Sequence, residues 1–256
     1  MEASFSSHEL EQYQMQGFFI IQELFALEEI EALRATAQTD LNHPGIMVKA
    51  DNLGNPVVLR MWNGPTHDLF GMFSRNERIV NRMEQLLGKN VYLYSAKMTM
   101  KDARQGGAWE WHQDYGYWYN YGCLFPSMAS CLIALHRSTR ENGCLQVLSG
   151  SQRLGRIDHQ RIKEQTVADG ERVEAAKKKF DLLYLEMNPG DAIFFDCNLL
   201  HRSDANMSAH HRWNFICSYN TVDNAPYKRA RDYGNYEPLI KVPSHSILEF
   251  AGIHHA

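Results

Sequence analysis

From residue 91 onward the chain is written in short apolar and β-branched runs, at 91–100, 129–135, 144–148, 181–187, 191–196 and 212–221. Turn chemistry separates them, as at Glu141-Asn142-Gly143 and Asn188-Pro189-Gly190-Asp191. Before residue 91 the pattern is mostly helical. Residues 7–15 predict a short helix with Ser7 as its cap and Gly17 as its stop, and 18–21 a strand. Residues 27–38 and 76–87 predict two longer helices, the second with Ile79, Met83, Leu86 and Leu87 on one side. The Asn-, Gly- and Pro-rich stretch 40–75 predicts loops plus one strand at 57–62, and 171–179 predicts a single helix among the later strands. Helices first and then many strands make a mainly β fold with flanking helices, a sandwich buttressed on one face.

With 256 residues and no repeat or linker, the chain reads as a single domain over 1–256. Its expected parts are a helical buttress at about 1–90, a β core at about 91–222 and a C-terminal extension at 223–256. A formal net charge of -4 argues against nucleic acid or an anionic membrane as partner. The partner expected is a small-molecule substrate, and the chain is expected to be a monomer or homodimer. Five cysteines with no CxxC, and no apolar leader or spanning run, predict reduced thiols and a cytoplasmic setting.

Function is written most densely in Trp109-Glu110-Trp111-His112-Gln113-Asp114. If the segment is a strand, His112 and Asp114 point to one face and can share an ion. His201, where a strand-like run meets a loop, is the candidate third ligand. Two His and one carboxylate leave the opposite face of a metal open, which suits Fe(II) and O2 chemistry. Arg212 follows eleven residues after His201 and could grip the distal carboxylate of 2-oxoglutarate bidentately, with Ser203 adding a hydroxyl.

Together these residues resemble the phytanoyl-CoA dioxygenase family of Fe(II)/2-oxoglutarate-dependent oxygenases. Residues 13–24 (YQMQGFFIIQEL) are similar to the family's opening helix and strand, and His112-Gln113-Asp114 to its HQD. The segment 141–151 (ENGCLQVLSGS) resembles its NGCL run, and 201–212 its closing HxSxxNxSxxxR pattern. The resemblance implies a double-stranded β-helix (jelly-roll, cupin-like) core. It also implies His112, Asp114 and His201 on iron, and Ser203 and Arg212 on 2-oxoglutarate. Lys97, Thr99 and Lys101 share one strand face, and any of the three could be the remaining co-substrate contact. The implied reaction hydroxylates, or otherwise oxidises, an unactivated C–H bond with O2 while 2-oxoglutarate becomes succinate and CO2. Related halogenases lack the carboxylate that Asp114 supplies, so halogenation is not expected. The family's substrates range from acyl-CoA esters to amino acids, and the absence of a long basic surface favours a small polar or amino-acid-like metabolite.

Tyr117, Trp118 and Trp109 are the expected substrate contacts, with Arg60 or Lys101 supplying charge for an anionic substrate. Met47, Met61, Met72 and Met83 read as core filler, and His254 and His255 as a tail without a metal site. Two other readings use the same ligands. A zinc or manganese cupin-like isomerase or hydrolase would have no obvious use for Arg212. A non-catalytic jelly-roll binding module would be expected to have lost a ligand.

Overall fold

The structure, a computed structural model, describes residues 4–228 and 236–253, so His254 and His255 lie outside the described residues. Ser6, one residue earlier than expected, caps helix α1 (Ser7–Gln16). Its hydroxyl accepts from the Glu9 amide at 3.3 Å while the Glu9 carboxylate accepts from the Ser6 amide at 2.7 Å, a reciprocal capping box. Gly17, at φ 82°, turns the chain out of the helix into β1 (Phe18–Ile21). Then come α2 (Leu27–Thr39), β2 (Ile46–Ala50), β3 (Pro56–Trp62), α3 (Leu69–Ser74) and α4 (Glu77–Leu87). The stretch expected as loops plus one strand therefore holds a β2–β3 hairpin and a helix. α3 reads Leu-Phe-Gly-Met-Phe-Ser and is buried throughout, so no amphipathic period marks it.

The second part runs β4 (Val91–Lys101), β5 (Trp109–His112), α5 (Asp114–Trp118), β6 (Met128–Ala134) and β7 (Leu145–Leu148). It continues with β8 (His159–Ile162), β9 (Gln165–Ala168), α6 (Gly170–Lys177), β10 (Leu182–Leu185) and β11 (Ala192–Asp196). β12 (His201–Ser203), β13 (Arg212–Thr221) and α7 (Ser246–Phe250) complete it. Seven strands form one antiparallel sheet in the order β1-β11-β6-β13-β4-β3-β2, and four form a second, β10-β7-β12-β5. The two sheets make the jelly-roll core.

Alternation along the central strands assigns their faces. On β13, Trp213, Phe215, Cys217 and Tyr219 join the cluster built with Leu33, Phe73, Ile79 and Met83 from the helices. Ile216, between them, packs with Leu132, Leu145, Val147 and Phe195 against the smaller sheet. Every residue of β6 and β13 is buried because helices cover one face and the second sheet covers the other. A register shift between Ser218 and Tyr219 lets β4 place both Tyr94 and Ser95 on the cavity wall.

Asp196, at the end of β11, is mostly buried, and this raises its carboxyl from 3.8 to about 6. An acid whose folded pKa exceeds its unfolded one costs stability as pH rises between the two values, here from about 4 to about 6. Asp196→Asn keeps an oxygen for the Asn198 amide, which Asp196 accepts at 2.7 Å. Denaturant unfolding should show the variant more stable at pH 8 by about 2–3 kcal/mol, with the gain vanishing below pH 4. Equal stability at pH 8 would show that the charge is not penalised.

Candidate active site

β5 and β12 pair in antiparallel register with His112 opposite His201. The two imidazoles are thus cross-strand neighbours, with ring centroids 4.1 Å apart. Each ring is held the same way. Nδ1 of His112 lies 2.7 Å from the Glu110 carbonyl, and Nδ1 of His201 lies 2.9 Å from that of Leu199. A carbonyl can only accept, so Nδ1 carries the proton and each Nε2 presents a lone pair.

Asp114 reaches the same point by a different route from the one expected. The strand stops at His112, Gln113 caps α5, and Asp114 is the first residue of that helix. Its Oδ1 lies 3.8 Å from His112 Nε2 and 4.0 Å from His201 Nε2, and all three donor atoms fall within 4.8 Å of one another. Tyr117 donates to Oδ1, and Ser130 donates to Oδ2 at 3.2 Å.

Gln113, fully buried, fixes this turn. Its amide nitrogen donates to the carbonyls of Gly155 at 2.8 Å and Asn198 at 2.7 Å, and its oxygen accepts from the Ile157 amide at 2.8 Å. Its backbone amide donates to His159 Nε2 at 2.9 Å. Gly116 leaves room for that imidazole, since a Cβ there would sit 2.1 Å from a ring carbon. Neither Gln113 nor His159 has a role in the reading of the amino-acid sequence above. Only the middle position of the HQD could have pointed to the first, and nothing local marks the second.

Burial alone would raise the Asp114 carboxyl, but Lys97, His201, His112 and the Tyr117 hydroxyl outweigh it and hold it at about 2. Burial, and then His201, push the His112 imidazole well down, and burial lowers that of His201. At neutral pH the three are two neutral imidazoles and one carboxylate, the forms that bind a divalent ion. Donor chemistry, protonation and spacing all fit Fe(II).

A cavity of about 320 Å³ opens beside His112 and His201 and extends between the sheets to Arg212. Arg212 is 2% exposed, and burial lowers its guanidinium to about 10, so it remains a cation. Among the described residues no carboxylate pairs with it. With its amide oxygen turned inward, Asn214 accepts from Arg212 Nε at 3.2 Å and Nη2 at 2.9 Å. A buried cation facing a cavity without an anion is what a ligand carboxylate needs. Ser203 and Thr99 line the same end, Thr99 standing opposite Asn214 in the sheet.

Other expected contacts divide. Tyr117, Trp118, Trp109 and Lys97 line the cavity. Lys101 does not, because its ammonium is spent on Ser203 Oγ at 2.8 Å and on the carbonyls of Ser203 and Asp204. Arg60 points to the opposite side of β3, where it pairs with Asp40 and stacks on Trp62 at 4.6 Å. Its neighbours Leu59 and Met61 face the cavity instead, so Met61 is a wall residue and not core filler. Tyr117 and Trp118 sit on a helix, so strand alternation does not decide their directions.

A jelly roll with two imidazoles and a carboxylate at one cavity end and a buried guanidinium at the other defines an Fe(II)/2-oxoglutarate-dependent oxygenase. The chain belongs to the phytanoyl-CoA dioxygenase family, which it matches over residues 13–213. It is 31% identical to the ectoine dioxygenase of Halomonas elongata, over 91% of this chain and 77% of that protein. It is 33% identical to the L-proline trans-4-hydroxylase of Streptomyces griseoviridis, over 64% of this chain and 69% of the other. In fold it is similar to EctD from S. alaskensis, solved with 2-oxoglutarate and 5-hydroxyectoine. The TM-score is 0.80 at 21% identity, over 94% of this chain and 88% of that one. The carbocyclase SnoK from nogalamycin biosynthesis matches with a TM-score of 0.72 at 19% identity, over 93% and 94%.

Proposed function

We propose that this chain hydroxylates an unactivated C–H bond of a small polar metabolite, with His112, Asp114 and His201 holding the iron and Arg212 the 2-oxoglutarate. Ferrous iron, when bound, supplies the O2 activation that couples decarboxylation of 2-oxoglutarate to oxidation of the substrate. The protein's share is positioning and shielding. The Glu110 and Leu199 carbonyls keep both Nε2 atoms unprotonated and aimed inward. Arg212 grips the distal carboxylate of the co-substrate, with the Ser203 and Thr99 hydroxyls beside it. Trp109, Tyr117 and Trp118 wall the reacting side and keep water from it.

The observation that carries this reading is that His112 and His201, whose Nε2 atoms converge with Asp114, line one cavity with a buried Arg212 that no carboxylate of the described residues pairs. A zinc or manganese isomerase or hydrolase leaves that arginine without a task, and a binding module has no reason to keep all three ligands. We further infer one working domain, acting as a monomer or homodimer in the cytoplasm on a small molecule, with no nucleic acid or membrane partner. The five buried cysteines, none in a disulfide, and the net charge of -4 support this. No helix among the described residues is long and apolar enough to cross a membrane.

The test is a succinate-release screen over amino acids, acyl-CoA esters and biosynthetic intermediates, with Fe(II) and 2-oxoglutarate supplied. At least one compound should raise succinate release well above the substrate-free rate and gain one oxygen atom by mass spectrometry. A hit that is isomerised or hydrolysed without O2 consumption would reject the oxygenase reading.

A further inference from the structure

Beyond the metal the cavity carries charge that the reading above leaves unused. Besides Arg212, assigned to the co-substrate, and Arg202, which pairs with Asp204, three cations line it, each from a different strand: Lys97 from β4, Lys49 from β2 and Arg161 from β8. Glu164, in the turn between β8 and β9, is the one carboxylate among the described lining residues outside the metal ligands, and its Oε2 accepts from the Ala50 amide at 2.5 Å. Among the described residues the side chain of neither Lys49 nor Lys97 makes a hydrogen bond or ion pair. Arg161 donates from Nε to the Lys163 carbonyl at 3.1 Å and meets no carboxylate.

Lys97 belongs to the metal end and not to the co-substrate end. On the β4–β13 pair, Lys101 stands opposite Arg212, Thr99 opposite Asn214 and Lys97 opposite Ile216. At roughly 3.4 Å per residue, Lys97 is about 14 Å along the strand from the level of Arg212. Thr99 is at half that distance. A five-carbon acid gripped at Arg212 and chelating the metal does not also fill the level of Lys97. Lys97 instead lies two residues from Ser95, whose cross-strand neighbour Ser218 bonds Ser130, the donor to Asp114 Oδ2, and this sets it at the metal end.

The rim shows the same imbalance. Burial, Arg161 and Lys97 all lower the Lys49 ammonium, and the opposing pull of Glu164 does not cancel them. With Arg212 set against the co-substrate and Arg202 against Asp204, the remaining three cations against Glu164 leave an excess of two positive charges facing the cavity. Cations this close, partly shielded from water, are stabilised by an anion that enters with the ligand.

We propose that the substrate is a small molecule with two acidic groups, one held by Lys97 beside the metal and the other at the rim by Lys49 and Arg161. This rests on the oxygenase reading of the same site. The apolar body of the molecule lies against Trp109 and Tyr121. A zwitterion such as L-proline carries one carboxylate and one ammonium, and so leaves the excess charge in place.

Three probes of one shape and falling charge test this: N-acetyl-L-glutamate, N-acetyl-L-glutamine and N-acetyl-L-glutaminamide. Each is titrated calorimetrically, without O2, into the protein carrying Fe(II) and saturating 2-oxoglutarate. Each loss of a carboxylate should weaken binding about tenfold, the value of one charge-assisted hydrogen bond. Lys97→Met should flatten one of these steps and the Lys49→Met/Arg161→Met pair the other, while Lys97→Arg retains the full series. Equal affinities for the three probes, no binding of N-acetyl-L-glutamate at millimolar concentration, or its displacement as 2-oxoglutarate rises would each overturn the proposal. The affinity for 2-oxoglutarate, titrated into the same Fe(II)-loaded proteins before the probes are added, separates this outcome from failure of the oxygenase reading itself.

Discussion

Alanine at Asp114 should weaken Fe(II) binding by more than about a hundredfold and remove all succinate release. Loss of a partner that only orients a metal ligand already costs 10–100-fold, and a ligand itself contributes more. Here the loss is compounded. Asp114 supplies the single negative charge of the metal-binding group and sits 3.8 and 4.0 Å from the two imidazole nitrogens. Asp114→Asn preserves an acceptor for Tyr117, and its amide NH2 can donate to the Ser130 hydroxyl, but it removes the charge, so it should fold normally and still bind iron poorly. His112→Ala should behave like Asp114→Ala. Calorimetric iron titration and succinate release, with circular dichroism to check the fold, decide the matter. Wild-type iron affinity in Asp114→Ala would remove Asp114 from the metal site.

Arg212→Ala should raise the 2-oxoglutarate requirement by about two to three orders of magnitude while leaving iron bound. Losing one partner of a buried, hydrogen-bonded charge pair costs about 2–5 kcal/mol, which spans that range. The side chain is buried on β13, while the imidazoles come from β5 and β12 and Asp114 from α5, so the metal group should be untouched. Arg212→Lys should fall between, because an ammonium keeps the charge but not the two parallel hydrogen bonds. The readouts are the KM for 2-oxoglutarate and the iron stoichiometry. An unchanged KM in Arg212→Ala would move the keto-acid clamp elsewhere.

What was legible in the amino-acid sequence depended on how local the signal is. The HQD, His201 and Arg212 are spaced motifs, and the fold brings His112, His201 and Arg212 to one cavity with Asp114 beside the two imidazoles. The long central strands were visible because runs such as 128–134 are almost wholly apolar, both of their faces being buried. That same property hid which face is which. The run 57–62 has no polar–apolar alternation, so nothing told that Leu59 and Met61 face the cavity and Arg60 does not. β5 and β12, of four and three residues, exist as strands only through their pairing with each other and with β7. The β8–β9 hairpin, which brings Arg161 and Glu164 to the cavity, is largely polar and its first strand is exposed, so no strand pattern marks it. Gln113 and His159 are joined across 46 positions of chain, a distance no local pattern encodes.

The most direct measurement is the number of ferrous ions bound per chain under anaerobic conditions, followed by admission of O2 to the same sample with 2-oxoglutarate present. One ion per chain, with succinate formed only after O2 enters and only in protein that keeps His112, Asp114 and His201, is the result expected. Tight binding of zinc with no response to O2, or succinate formed equally well by the Asp114→Ala protein, would contradict it.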